Sequence, residues 1–448
     1  MDVIEAKKFY LARYADFERA LATAAAPAAW GGAIRSGAIS RFAAAGFPGV
    51  RDEEWKYTSI APILDVPFNP ARSLGDGLVR ERLGQLDLGA PVENRLVFIN
   101  GRLSSELSTA PRLPAGVEAG SLAAAMRRSD ARVASHLARY ANYDNQGFVA
   151  LNTAFMEDGG FIFVPAGVVI EEPIHLVFVA LSADGAGVCY PRNLIVLERG
   201  AEASVVETYL SLERSLHFTN GVTEAVVGEN CRLEHIKIQR ESEEAFHIGT
   251  LQVQMGRSSR FTSHSLALGG ALTRNDIDVA LEGEGGDCTL NGLYIAGGRQ
   301  HIDNHTRIDH VKPHCASREL YKGVLGGRAR GVFNGKIYVH KAAEKSDAKQ
   351  TNKNLLLSEG AWVDTKPQLE IHNNDVKCSH GSTIGQVDQD ALFYLRSRGI
   401  GRSAACALLT QGFAGDVVAR LPDAAGRAAI EDRVRERLEA ISGDNGAS

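Results

Sequence analysis

"LERGAEASVVETYL" (residues 197–210), "VVGENCRLEHIKI" (226–238), "QMGRSSRFTSHSL" (254–266) and "EGEGGDCTLNGLYI" (282–295) are four versions of one phrase. In each, a glycine precedes an apolar residue by five positions: Gly200/Val205, Gly228/Leu233, Gly256/Phe261 and Gly285/Leu290, with the glycines 28, 28 and 29 residues apart. A near-constant period of this size, with a short apolar run in every unit, is the pattern of a solenoid whose coils bury their apolar faces only against neighbouring coils. Runs such as "IDVALE", where Ile277, Val279 and Leu281 alternate with Asp278 and Ala280, have the two-residue period of strands. The expected core is therefore a right-handed parallel β-helix over 151–388, in a mainly β chain; a β-sandwich is the alternative. The register blurs after residue 300, where insertions such as "HKAAEKSDAKQTN" intervene, so the number of coils stays open.

The flanks read differently. Tyr10, Tyr14, Phe17 and Leu21 recur at helical spacing, and residues 118–145 place Leu122, Met126, Leu137 and Tyr140 among arginines and alanines. Between them, Asn100-Gly101 joins two apolar runs and predicts a tight hairpin, because both central residues of such a turn need positive φ. Residues 1–150 are thus expected to be mostly helical with one hairpin. Beyond Asp388, Ile430, Val434, Leu438 and Ile441 fall on one helix face, with Asp423 as the expected N-cap. Residues 389–448 form a second helical region, and helices at both ends are expected to cap the open edges of the β-helix.

Composition excludes several functions. A formal net charge of −5 without a long basic run argues against nucleic acid or an anionic membrane as partner. Six dispersed cysteines in 448 residues are too sparse for a disulfide framework, and the acidic amino terminus is unlike an export signal, so a cytoplasmic protein is expected. No GxxxxGK[ST] loop and no GxSxG elbow occur, so neither ATP hydrolysis nor serine chemistry is written in the chain.

Two constellations could hold a metal. "HIDNHTRIDHVKPHC" gathers His301, His305, His310, His314 and Cys315, yet on a strand residues 301, 303 and 305 share one face and the others scatter. "DVKCSHGSTIG" (375–385) sets Cys378 and His380 two apart, hence on one face, as half of a four-ligand site. On residue types alone a buried cysteine beside a hydrogen-bonded histidine is the simpler reading. Asp276, Asp278, Asp303 and Asp309 could serve as the acid/base set of a free-standing, carbohydrate-cleaving β-helix enzyme, the alternative function. Such enzymes usually carry export signals.

Residues 321–400, from "YKGVLGGRARGVFNGKIYVH" through "NNDVKCSHGST" to "DQDALFYLRSRGI", closely resemble the SufB/SufD family of the SUF iron–sulfur assembly system, on its SufD side. "HIDNHT" (301–306) and "EEWKYTS" (53–59) extend the likeness over most of the chain, which lacks the amino-terminal cysteine motif of many SufB chains. The resemblance implies a non-catalytic scaffold subunit that pairs with SufB through the β-helix ends and binds the ABC-type ATPase SufC through its carboxyl-terminal helices. It makes His380 the residue facing SufB where a nascent iron–sulfur cluster forms, with Cys378 beside it and the remaining ligands in the partner. The cluster would exist only in the complex, none being tightly bound by the isolated chain. For SufC docking it points to Phe393, Tyr394, Leu395 and Phe413 as apolar anchors and to Arg396 and Arg398 as polar contacts. A lone preparation is expected to self-pair as a homodimer, since the partners share one fold.

Overall fold

The computed structural model describes residues 2–23, 29–71, 93–109, 112–181, 186–212, 214–422 and 426–443. From Arg192 onward strands alternate between two parallel sheets, one ending in Trp362–Ile371 and the other in Lys377–Gln386. The result is a β-helix of about seven turns.

The turns explain the repeat. Gly200, Asn230, Ser258, Gly285, His314 and Lys345 all have positive φ, between 54° and 73°. Each donates its backbone N–H to a carbonyl of the next coil's turn: Gly200 to Glu229, Asn230 to Arg257, Ser258 to Glu284, Gly285 to Pro313, His314 to Glu344 and Lys345 to Asp375. The glycines that mark the sequence period therefore occupy two different turn positions. Gly200 and Gly285 sit in the left-handed position, whereas Gly228 and Gly256 lie two residues before it, where a Cβ would come within 2.7 Å of Leu197 O and 2.9 Å of Glu229 N respectively. In true register Val205 pairs with His235 and Ser263 with Leu290, so the glycine alignment is off by two residues there and right for Leu233 with Phe261. An offset of two preserves the face of a strand, which is why the apolar pattern survived the slip.

Inside the coils, Ile195, Ala225, Val253, Val279, Ile308 and Ile337 stack as one apolar row of the first sheet. On the second sheet Phe98, Phe178 and Tyr209 stack at centroid distances of 4.9 and 4.7 Å. Each large side chain so buried contributes about 1.5–3 kcal/mol.

The outer faces are covered by the chain ends. Tyr10, Tyr14 and Phe17 of the helix Val3–Thr23 join Phe42, Phe148 and Phe155 and seat on Phe218, Phe246 and Leu272 of the first sheet. The helices Arg402–Val418 and Arg427–Gly443 bury Val417, Ile430, Val434, Leu438 and Ile441 against Ile236, Leu266, Leu293 and Val324 of the second. Asp423, the expected N-cap, lies outside the described residues. The sheets also reach back before residue 150: Asn94–Ile99 pairs parallel with Ile174–Ala180, and its hairpin partner follows the Asn100-Gly101 turn, φ +49° and +83°.

One expectation is overturned. The carboxyl-terminal helices do not cap the end of the β-helix, because the outer face of the second sheet carries its own apolar stripe and holds them there. At the amino-terminal end the sheets finish in short antiparallel strands, Arg102–Ser104 and Glu118–Ser121. At the other end two ten-residue strands stand at the sheet edges with no further strand beyond them among the described residues. No described helix is long and apolar enough to cross a membrane.

Candidate functional site at the open end of the β-helix

Strand Lys377–Gln386 is the last rung of the second sheet. Cys378 continues the row Cys288, Ser317, Ala348, and His380 continues Leu290, Glu319, Gln350. Cys288 and Leu290 are core residues, so both rows face inward and alternation put Cys378 and His380 on the same, interior side. Cys378 packs beside Ile337, Val339 and Ala348, and burial pushes its thiol above the ordinary range. His380 is exposed, as is nearly all of its strand.

The interior changes character toward this end. On the second sheet the apolar filling gives way to Glu319, Gln350, Asn352 and Asn354, all buried. Gln350 Nε2 donates to Glu319 Oε2 at 2.7 Å, and Asn352 Nδ2 donates to the Tyr294 hydroxyl at 3.3 Å, which in turn donates to Asn354. Burial pushes the Glu319 carboxyl up to about 7 against the hydrogen bond from Gln350. A polar interior is expensive unless it is hydrogen-bonded. Here it lies directly behind His380 and beneath an uncovered end.

The histidine run is dispersed. His301 and His305 lie on the outer face of the first sheet, His310 turns inward to Ser317 Oγ at 2.9 Å, and His314 occupies an exposed turn. Cys315 donates to Gly283 O at 3.3 Å. Among the described residues no three of His, Cys, Asp and Glu are placed to hold a metal ion.

The outer face is instead a latch that sequence reasoning missed. Segment 53–59 folds onto it: Thr58 Oγ1 donates to Asp303 Oδ2 at 2.6 Å and meets His301 Nε2 at 2.9 Å. Arg274 donates to Glu54 O at 2.7 Å, pairs with Asp303 at 2.9 Å and Asp276 at 2.7 Å, and stacks 3.8 Å from the Trp55 ring. Burial alone would push His305 down, but the Asp303 carboxylate outweighs it and holds the imidazole at about 9. Asp309 pairs with Arg307. Three of the four carboxylates considered as an acid/base set are thus tied to arginines, and the carbohydrate-enzyme alternative finds no support.

At the carboxyl-terminal side, Asp388 caps the helix Gln389–Ser397, accepting from the Asp390 and Ala391 N–H groups. Leu392 is buried, while Phe393 and Tyr394 are 73% and 57% exposed, unusual for rings of that size. Leu395 is half-buried; Arg396 and Arg398 are exposed, the Arg398 guanidinium lying 5.2 Å from the Tyr394 ring. Phe413 stands apart from this group: Lys322 Nζ sits 4.6 Å from its ring, donates to its carbonyl at 3.0 Å and pairs with Asp416 at 2.8 Å, so it helps fasten its helix to the β-helix.

The chain matches two family models, "SUF system FeS cluster assembly, SufBD core domain" over residues 179–413 and "SufBD protein N-terminal region" over residues 4–176. It is 33% identical to an iron–sulfur cluster assembly SufBD family protein of Synechocystis, covering 90% of this chain and 89% of that one. It is 32% identical to the iron–sulfur cluster assembly protein SufD of Escherichia coli (88% and 90%) and 30% identical to SufD of Bacillus subtilis over a shorter stretch (62% and 64%). With both models matched end to end across the β-helix and the region before it, the chain belongs to the SufBD family of iron–sulfur cluster assembly proteins of the SUF system.

Proposed function

We propose that this chain is a non-catalytic scaffold subunit whose open β-helix end pairs with a SufB-like subunit, and whose helix Gln389–Ser397 docks a SufC-like ATPase. The observation that carries the pairing is the open end itself. Two ten-residue edge strands offer unmatched backbone donors and acceptors, which natural proteins otherwise blunt, as this one does at its opposite end. A partner with the same fold would continue both sheets and enclose the polar interior. The nascent iron–sulfur cluster, as cargo, would then form at the seam beside His380. Cys378 and His380 make only half a ligand set, which fits a cluster that needs the partner's residues. For the ATPase, the exposed Phe393 and Tyr394 with Arg396 and Arg398 have the composition of an interface hot spot.

The test is reciprocal. Co-expressed with both partners, an Ile384→Glu chain, altered at an exposed residue of the last rung, should lose the SufB-like subunit and keep the SufC-like one. A Phe393→Ala/Tyr394→Ala chain should do the reverse. If Ile384→Glu retains the SufB-like subunit in full, the pairing surface lies elsewhere.

A further inference from the structure

The exposed His380 ring, as it stands, has no hydrogen-bond partner among the described residues, yet the rung behind it is built with care. Gln350 is 1% exposed, and its Nε2 is committed to Glu319 Oε2 on the rung behind, itself 4% exposed. Its Oε1 is buried and has no hydrogen-bond partner among the described residues. Across the interior, Gly335 makes room for the amide: a Cβ there would stand 2.2 Å from Gln350 Nε2 and 2.8 Å from Phe333 Cζ. An amide whose nitrogen is anchored has its oxygen direction set by the trigonal carbon, so Glu319 and Gly335 together decide where that acceptor points. His380 is in register with Gln350 on the next strand, roughly 4.8 Å away.

We propose that Gln350 is the positioning residue for His380: when the exposed ring turns toward the strand behind it, the anchored amide oxygen accepts the ring N–H of His380, fixing one tautomer and leaving the other ring nitrogen to face out of the open end. Histidines that bind metal commonly owe their tautomer and orientation to such a neighbour, and losing it typically weakens metal affinity about 10–100-fold. The same anchoring would stop the buried Gln350 oxygen from remaining unsatisfied. This inference rests on the cluster-site reading of His380 for its purpose, but not for its test.

The full chain, with ¹⁵N-labelled histidine, is examined by long-range ¹⁵N–¹H NMR at pH 8.5, where Glu319 is ionised, and His380 is assigned by its loss in His380→Gln. The wild type should show a single dominant His380 tautomer. Gln350→Leu should move it toward the mixture of a free imidazole while the buried His310 and His247 signals stay in place. Gly335→Ala, which displaces the amide without touching His380, should do the same. Glu319→Gln, which keeps an acceptor for Gln350 Nε2, should leave the tautomer as in wild type. An unchanged His380 signal in both Gln350→Leu and Gly335→Ala overturns the inference. In the purified complex, Gln350→Leu should reduce iron loading at limiting iron by about tenfold. If Gln350→Leu moves the tautomer but His380→Ala loads normally, the positioning stands and the cluster-site reading falls.

Discussion

Thr58→Val tests the latch that joins the amino-terminal region to the β-helix. The substitution is close to isosteric, so it opens no cavity, and Thr58 is 1% exposed. What it removes is one hydroxyl that donates to the fully buried Asp303 carboxylate at 2.6 Å and meets His301 Nε2 at 2.9 Å. A hydrogen bond to a charged group is worth about 1.5–3 kcal/mol, and the stranded carboxylate keeps Arg274 and His305 as partners, which places the loss toward the lower half of that range. About 2 kcal/mol corresponds to a roughly 30-fold rise in local opening. The loss should appear in residues 53–59 and not in the coils, because opening of this segment leaves every rung of the sheets paired. Hydrogen exchange read by mass spectrometry on peptides covering 50–60 and 195–300 measures both at once. Thr58→Ser, which keeps the hydroxyl, should retain most of the protection. Equal protection in Thr58→Val and wild type, or equal damage in Thr58→Ser, would show that packing of Trp55 on Arg274 holds the segment and the hydroxyl does not.

Three further outcomes follow from the buried charges. His305 is held at about 9 against an ordinary 6.5, so its contribution to stability is complete below pH 6.5 and is lost as pH rises through 9. Thermal unfolding should weaken over that window, by up to roughly 3 kcal/mol, and Asp303→Asn should flatten the dependence. Glu319 has the opposite effect: a carboxyl raised from 4.5 to about 7 destabilises the fold increasingly as pH rises between those values. Glu319→Gln should therefore raise the melting temperature at pH 8 and leave it nearly unchanged at pH 4.5. Lys322→Ala removes the lysine that bonds Phe413 O and Asp416 and should speed proteolysis within 400–443 while the coils stay resistant.

The fold was legible because a solenoid writes the same instruction many times. The glycine period found the coils even though Gly228 and Gly256 mark a turn position different from that of Gly200 and Gly285, since a slip of two leaves every side chain on its own face. That Cys378 and His380 share a face was equally legible, from alternation alone. What lies behind them was not. Gln350 and Glu319 are 30 and 61 positions upstream of His380, and coil lengths vary enough that only the observed register brings them into one row. The latch was hidden for the same reason, Thr58 and Asp303 being 245 residues apart. The expected helical caps failed because strands buried on both faces do not reveal which apolar row is interior. Ile236, Leu266 and Leu293 face outward and hold the carboxyl-terminal helices there, which leaves the end of the β-helix open.

The most direct test of that open end is chemical. The chain is co-expressed anaerobically with its SufB-like and SufC-like partners, the complex is purified, and iron and acid-labile sulfide are measured with native and His380→Ala chains. Loss of both iron and sulfide from an intact complex is the predicted result. Unchanged loading in an intact His380→Ala complex would contradict the account and leave this chain a structural half, with the cluster chemistry wholly in its partner.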